Sequence, residues 1–248
     1  GKAKFWQPYH SGKKDGRLLW WFASGPLAGE LEFAAGKRYG VGTIYYENGG
    51  EGFRGDYAED RLHGKLTWRD PAGRSLFSLG YTGGKAHGLL EIRHAGRTMA
   101  EARFHGGSVE GPVLVRNEKG LVVGELPYQS GLLDGQVILK DPSGSVRVSS
   151  SWNDGQLDGD TEVWYSSKAK ASYCKFKEGY LMEWASYRPD ATLRYMGKVS
   201  SVKEGRAVIE YFGGGPAASL RCKTLDWNIG ECESIDGNRT CLLYTSPS

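Results

Sequence analysis

The chain lacks most of the features that would place it in a well-known functional class. No apolar run approaches the ~18 residues of a membrane-crossing helix. The 9 prolines and many glycines show no Gly-X-Y period, which excludes collagen. The net charge is only +3 and basic residues are interspersed with acids, so we expect no nucleic-acid partner. No secretory leader is visible, so we expect an intracellular protein, cytoplasmic or nuclear.

Cysteine is scarce and poorly placed for metal binding. The four cysteines are Cys174, Cys222, Cys232 and Cys241, and none forms a C-x-x-C pair. A zinc site of the usual spacing is therefore not expected, while a disulfide near the C-terminus stays open. The final residues, 241–248, resemble translated cloning-adapter sequence, and we expect them to be a non-native tail.

Glycine and aromatic residues are abundant, and they recur in a fixed pattern. The pattern is aromatic-x-x-Gly-x-x-x-Gly, with spacings of 24 residues and one of 23. Its aromatic anchors are Tyr9, Phe33, Tyr57, Tyr81, Phe104, Tyr128, Trp152 and Phe176. Its second glycines are Gly16, Gly40, Gly64, Gly88, Gly111, Gly135 and Gly159. Asp60 replaces one first glycine and Glu183 replaces the last second glycine. Such a period is the signature of a repeat protein.

Each repeat reads as a β-hairpin. Apolar residues dominate nine and eleven residues after each anchor, as at Leu66 and Trp68, whereas the intervening position is mixed. Because side chains alternate along a strand, this pattern predicts that the ninth and eleventh positions form the buried face. Turn sequences follow at 47–50, 70–73, 94–96, 117–120 and 141–144. The two glycines of each copy are predicted to reverse the chain again, with positive φ at Gly88.

The expected fold is all-β, an elongated single-layer antiparallel meander of about eight stacked hairpins. We expect a repeat sheet over 1–186 and a C-terminal cap or connector over 187–240, with a capping strand at Ile209–Phe212. Stacking of neighbouring hairpins is needed because a lone hairpin is only marginally stable.

The copies resemble MORN repeats (membrane occupation and recognition nexus). The segment "FRGDYAEDRLHG" at 53–64 carries the pattern well, with Phe53, Gly55, Tyr57 and Gly64 in place. The resemblance covers roughly residues 9–183. It implies a single-layer hairpin sheet that binds or spaces a protein partner, with no catalysis and no cofactor.

Three narrower interpretations accompany this resemblance. Segments such as "YTGGKAHG" are similar to the MORN region that precedes the catalytic domain of a SET-domain lysine methyltransferase. The chain has no Asn-His dipeptide and no SET-type cofactor motif, so it would be the non-catalytic part of such an enzyme. Bacterial MORN-variant proteins are similar to about the same extent. Membrane-lipid association is a third, weaker interpretation, because a basic patch is missing.

Two chemical interpretations of the same residues are a phosphate-binding loop and a histidine metal site. "YTGGKAHG" lacks the strand–loop–helix context of a phosphate-binding loop. His63 and His87 share one repeat position, but two strands, ~10 Å, would separate them. The remaining histidines, His10, His94 and His105, lie in other phases of the repeat. We therefore expect surface histidines and no metal site.

The acids and the aromatic anchors have similar alternatives. Asp134, Asp154 and Asp158 lie near turns, and Asp70 and Asp141 at hairpin tips, where aspartate commonly bonds its own backbone. No catalytic residue is expected among them. The aromatic stripe is interpreted as packing between repeats, with a ligand platform as the alternative.

Overall fold

The described residues consist of strands and turns. The computed structural model describes residues 4–166, 169–203, 206–213, 219–225, 228–234 and 240–242, with side chains up to residue 199. Every regular element in these ranges is a strand, and the strands pair antiparallel, most of them with a sequence neighbour, so the predicted all-β meander is confirmed. None of these residues lies in a helix that could cross a membrane.

The chain divides into two compact units, Gly1–Leu132 and Leu133–Ser248. The strands of the first unit are β1 (Phe5–Trp6), β2 (Tyr9–His10), β3 (Lys13–Lys14), β4 (Gly16–Trp21), β5 (Leu27–Ala34), β6 (Lys37–Tyr45), β7 (Glu51–Ala58), β8 (Arg61–Arg69), β9 (Ser75–Thr82), β10 (Lys85–Ala86), β11 (Gly88–His94), β12 (Arg97–His105), β13 (Ser108–Val109), β14 (Gly111–Arg116) and β15 (Val122–Gln129). A two-residue strand, β16 (Leu132–Leu133), lies at the division.

The second unit continues the same hairpin pattern. Its strands are β17 (Gly135–Lys140), β18 (Val146–Asn153), β19 (Gln156–Trp164), β20 (Lys170–Lys177), β21 (Tyr180–Tyr187), β22 (Leu193–Lys203), β23 (Arg206–Gly213), β24 (Ser219–Leu225), β25 (Asn228–Ser234) and β26 (Thr240–Leu242). The strand predicted at Ile209–Phe212 falls within β23 and is confirmed. Of the predicted tail, 243–248 lies outside the described residues.

One register rule connects successive repeats. In all seven copies that have the second glycine, this glycine lies opposite the aromatic anchor of the next copy. The pairs are Gly16–Phe33, Gly40–Tyr57, Gly64–Tyr81, Gly88–Phe104, Gly111–Tyr128, Gly135–Trp152 and Gly159–Phe176. The constant register places each second glycine, which has positive φ, at the same joint between two successive repeats.

The tight turn of each repeat lies at the first glycine and the residue before it. Both residues have positive φ in all eight copies, as at Gly83 (φ 57°) and Gly84 (φ 84°). Two consecutive positive φ values are the mark of a type I′ hairpin turn, whose twist matches that of the strands. Asp60 keeps φ 66° in the copy without a glycine. Its carboxylate accepts the backbone N–H of Arg38 at 2.9 Å, and this bond lowers the Asp60 pKa.

The second glycine has a different role from the predicted one. The positive φ at Gly88 is confirmed at 89°, but the chain has already reversed at Gly83–Gly84. Between the pairs Ala86–Tyr81 and Glu91–Ser78, the returning strand contains two more residues than its partner. Gly88 therefore lies in a bulge within the strand, where the extra residues must bend the backbone.

We expect Gly88→Val to lower the free energy of unfolding by about 1–2 kcal/mol, because a β-branched residue is strained at positive φ. A β-carbon at Gly88 would have nothing within 4 Å, so the effect would report backbone strain rather than a clash. Gly88→Asn is the matched control and should cost less, since asparagine tolerates this conformation. Equal denaturation midpoints for the two variants and the parent would contradict the assignment.

The hairpin tips are closed by the residues that the sequence predicted. At 70–73 the Gly73 N–H donates to the Asp70 carbonyl at 2.8 Å, and at 141–144 the Gly144 N–H donates to the Asp141 carbonyl at 2.9 Å. The Asp141 carboxylate also accepts the backbone N–H of Ser143 and of Ser145. The predicted tip turns and the turn-bonding role of Asp70 and Asp141 are confirmed.

The Asp141 turn should make stability depend on acid pH. The Ser143 hydroxyl, the backbone N–H groups and Arg147 hold the pKa of Asp141 at about 2. A carboxyl whose pKa is lower in the folded state stabilises the fold above its unfolded pKa, ~3.9, and loses that contribution as the pH falls through the folded value. We expect Asp141→Asn to lower the thermal midpoint at pH 6, with the difference shrinking between pH 4 and pH 2. A difference that stays constant over this range would contradict the carboxylate's role.

The prediction that the position eleven residues after each anchor is buried is wrong. Eleven residues after the anchors, Ile44, Trp68 and Ile92 expose 47%, 48% and 43% of their surface. The intervening position, predicted to be the more exposed, includes Thr43 at 2%. Side-chain alternation identifies which residues share a face, but burial also needs something to cover that face. Short side chains such as Thr43 are buried here because longer neighbours on the same face lie beside them.

Candidate binding surface

A continuous row of apolar residues crosses one face of the first unit. We call this set the apolar row; each member lies directly opposite the next across neighbouring strands. Its members are Phe5, Trp20, Gly29, Ile44, Phe53, Trp68, Phe77, Ile92, Ala100, Val115 and Gly124. The row contains no charged or hydrogen-bonding side chain apart from the two indole N–H groups. The eleven-residue position of each repeat supplies Trp20, Ile44, Trp68, Ile92 and Val115.

Large side chains of the row are either exposed, as at Ile44 and Trp68, or half-buried, as at Trp20 and Phe53. The rings of Phe53 and Trp68 meet edge to face, with centroids 5.9 Å apart and planes at 77°. This geometry is a favourable aromatic contact. Trp20 lies across Gly29, so that a β-carbon on Gly29 would come within 2.0 Å of its ring. The Phe53, Trp68 and Trp20 side chains are therefore constrained by their neighbours and have little conformational entropy left to lose.

Two further rows widen this face. A second row lies two residues further along each strand. Its members lie opposite one another on neighbouring strands and are Leu31, Gly42, Gly55, Leu66 and Leu79. Beyond them lie the anchors, of which Phe33, Tyr57, Tyr81, Phe104 and Tyr128 are half-buried. Cations from neighbouring strands cover two anchors: Lys14 Nζ lies 4.9 Å from the Phe33 ring centroid and the Arg38 guanidinium 5.0 Å from that of Tyr57. These contacts support the packing interpretation of the stripe.

The opposite face carries a polar row in the same strands. Its members are Trp6, Leu19, Glu30, Thr43, Arg54, Thr67, Ser78, Glu91, Glu101, Leu114 and Glu125. Ion pairs join this row to its neighbours, with Arg116 Nη2 to Glu101 at 2.7 Å and Arg17 Nη1 to Glu30 at 3.2 Å. The Tyr45 hydroxyl donates to Glu30 at 2.7 Å, and burial together with Glu30 raises the Tyr45 pKa. The two faces of the sheet thus differ sharply in charge.

Each of the acids considered for catalysis lies in a turn, beside a bulge glycine or in an ion pair. Asp70 and Asp141 close two different hairpin tips, and Asp154 occupies a type I′ turn at φ 48°. Asp158 accepts an ion pair from Lys177 at 3.3 Å. Asp134 lies directly before the bulge glycine Gly135. Each therefore has a turn position or a partner that accounts for it without chemistry.

The histidines are arranged differently from the sequence expectation. His63 Nδ1 accepts the backbone N–H of Gly83 at 3.3 Å. His87 instead meets His105, with ring centroids 5.1 Å apart and planes at 54°. Sequence analysis compared only equivalent positions in successive repeats and missed this pair. The signal was available in the register, because the residue before each second glycine faces the residue after the next anchor.

Comparisons with known proteins add little. No family model matches the sequence, and no curated protein matches it. Among solved structures, a TcdB2–TccC3 crystal structure is similar at 12% identity and a TM-score of 0.22, over 92% of this chain and 15% of that one. A Tc holotoxin pore from Photorhabdus luminescens is similar at 12% identity and a TM-score of 0.20, with the same coverage. The chain thus spans only a small part of these proteins, and likenesses at such scores carry no argument.

Proposed function

We propose that this chain is a non-catalytic repeat module that binds a partner protein through the apolar row of its first unit. The exposure of Ile44, Trp68, Ile92 and Val115 along one uninterrupted line carries the proposal. Soluble proteins rarely leave such a contiguous apolar patch uncovered unless it is an interaction site. The resemblance to MORN repeats belongs to the same proposal, since it implies a sheet that binds or spaces partners.

The dimensions of the surface suit a protein partner. Eleven strands at ~4.8 Å give the row a length on the order of 50 Å, and the three apolar rows are about 7 Å apart. A standard protein–protein interface takes about 800 Å² of accessible surface from each partner, and a row of this length can extend across an interface of that size. Large aromatic side chains often dominate the binding energy of such interfaces, tryptophan above all. The apolar row supplies Trp68 and Phe53.

The charge distribution favours a protein over a lipid surface. Attraction to anionic membranes depends on clustered lysines and arginines. The apolar row has none, and basic residues of the opposite face, such as Arg116 and Arg17, are paired with glutamates. An apolar protein surface is the partner that fits this face.

We also propose that the module works inside the cell. Cys174 is a free thiol, and burial raises its pKa, so it resembles a small apolar core residue rather than a reactive one. Unpaired cysteines are typical of reducing compartments.

The test is proximity labelling in cells with the full chain and a face variant. Ile44→Lys, Trp68→Lys and Ile92→Lys together should leave the fold largely intact, because all three side chains are about half exposed. We expect specific partners to fall at least about tenfold in recovery, because three charges would be desolvated at the interface. Circular dichroism would confirm that the variant remains folded.

The control variant carries one charge reversal on the opposite face of the sheet. Arg54→Glu, exposed in the polar row, should retain the partners of the parent chain. An unchanged partner set in the face variant would overturn the proposal. Co-sedimentation of the parent with anionic vesicles, lost in the face variant, would replace it with the lipid interpretation.

A further inference from the structure

A pair of histidines in the first unit has the spacing of a metal site. His87 lies between β10 and β11, and His105 ends β12; both side chains are exposed. Their ring centroids are 5.1 Å apart. The ring planes meet at 54°, so the rings are not stacked on each other. The pair lies outside the apolar row, and the proposed function makes no use of it.

This spacing equals the one that a shared ion requires. A ring nitrogen lies ~1.1 Å from its centroid, and a histidine–zinc bond measures ~2.1 Å. Two imidazoles on one tetrahedral ion therefore have centroids about 5.2 Å apart. The observed centroid separation of 5.1 Å is within about 0.1 Å of this value.

The register explains why the two side chains meet. Gly88 lies opposite Phe104, so the residue before Gly88 faces the residue after Phe104. The same two positions three repeats later are occupied by Asp158 and Lys177, whose charged ends lie 3.3 Å apart. These positions thus bring side-chain ends together, and in one repeat both are imidazoles.

We propose that His87 and His105 form a site for a divalent late transition metal such as Zn²⁺. Imidazole nitrogen is a preferred ligand for zinc, copper and nickel. Within the described residues no three His, Cys, Asp or Glu side chains cluster around a common point, so the protein supplies two ligands and water completes the shell. The site is accordingly open, and it binds more weakly than a four-ligand structural zinc site.

The test is a Zn²⁺ titration of the full chain followed by calorimetry. We expect one saturable equivalent in the parent and a loss of affinity of more than about tenfold in both His87→Ala and His105→Ala, since each variant removes half of the protein ligands. His63→Ala is the matched control: it occupies the same repeat position as His87, but its counterpart is Thr82. We expect this variant to bind as the parent does.

A gain-of-site variant makes the test independent of any loss of folding. Thr82→His places an imidazole opposite His63 in the same register as the natural pair, and should add a second equivalent of Zn²⁺. Equal affinity in the parent and His105→Ala, or no saturable binding in the parent, would overturn the proposal. A single equivalent in Thr82→His would show that register does not create the site, and would equally overturn it.

Discussion

Gly80→Ala is expected to lower the free energy of unfolding by about 2–3 kcal/mol, because overpacking against a backbone atom cannot be relieved by rotating a side chain. A β-carbon at Gly80 would lie 2.3 Å from the His87 carbonyl oxygen. The His87 N–H donates to the Gly80 carbonyl at 2.8 Å, so the two strands are held together at this point. The added methyl would force them apart and break that bond. Chemical denaturation with urea measures the effect.

The control for Gly80 separates a clash from backbone strain. Gly80 does not have positive φ, whereas Gly88 has positive φ and no neighbour within 4 Å. Gly88→Ala should therefore cost less than Gly80→Ala, about 1–2 kcal/mol from backbone strain alone. If Gly88→Ala proved the more destabilising of the two, the close approach of Gly80 to His87 would not be the dominant constraint.

The contact of Trp20 with Gly29 should give the next largest effect. Gly29→Ala must displace the Trp20 ring, since its β-carbon would lie 2.0 Å from the ring. We expect a loss of about 2 kcal/mol for this change and a comparable loss for Trp20→Ala, which removes most of a half-buried indole. In the double variant the ring that causes the clash is gone, so Gly29→Ala should then cost little.

A double-mutant cycle measures this coupling directly. Residues in contact typically show coupling energies of about 0.5–3 kcal/mol, whereas distant pairs are additive. Trp184 lies across Gly197 in the second unit in the same way, with a β-carbon on Gly197 at 2.2 Å from the ring, and provides an independent replicate. Additive effects at both places would mean that the rings lie elsewhere in solution.

The contrast between what sequence predicted and what it missed has a physical basis. Turn chemistry is local: Gly73 and Gly144 close their tips through bonds to residues three positions earlier, and both have the positive φ that glycine adopts without strain. These features were predictable. Even Asp60 keeps its φ, because Arg38 supplies the bond that stabilises the carboxylate in this turn.

Features that depend on two strands at once were harder to predict. The meeting of His87 with His105 requires the register across a bulge, and the packing of Trp20 on Gly29 requires knowledge of which way the ring turns. Exposure of Trp68 could not follow from alternation, because the pattern of a covered face and that of an interaction face are the same. The sequence pattern therefore predicted which apolar residues share a face, but it did not predict that this face is exposed to solvent.

The pairing of each second glycine with the next anchor also bears on how such a chain can grow. From the second copy to the seventh, each repeat carries an aromatic that lies opposite the glycine before it and a glycine that lies opposite the aromatic after it, as Tyr57 and Gly64 do. A duplicated 24-residue segment would thus meet matching neighbours on both sides at once. At Glu183 the glycine is gone, and the residue opposite is Lys198 rather than an aromatic. The shared register is therefore a joint that recurs from repeat to repeat, and the glutamate marks where it is no longer available.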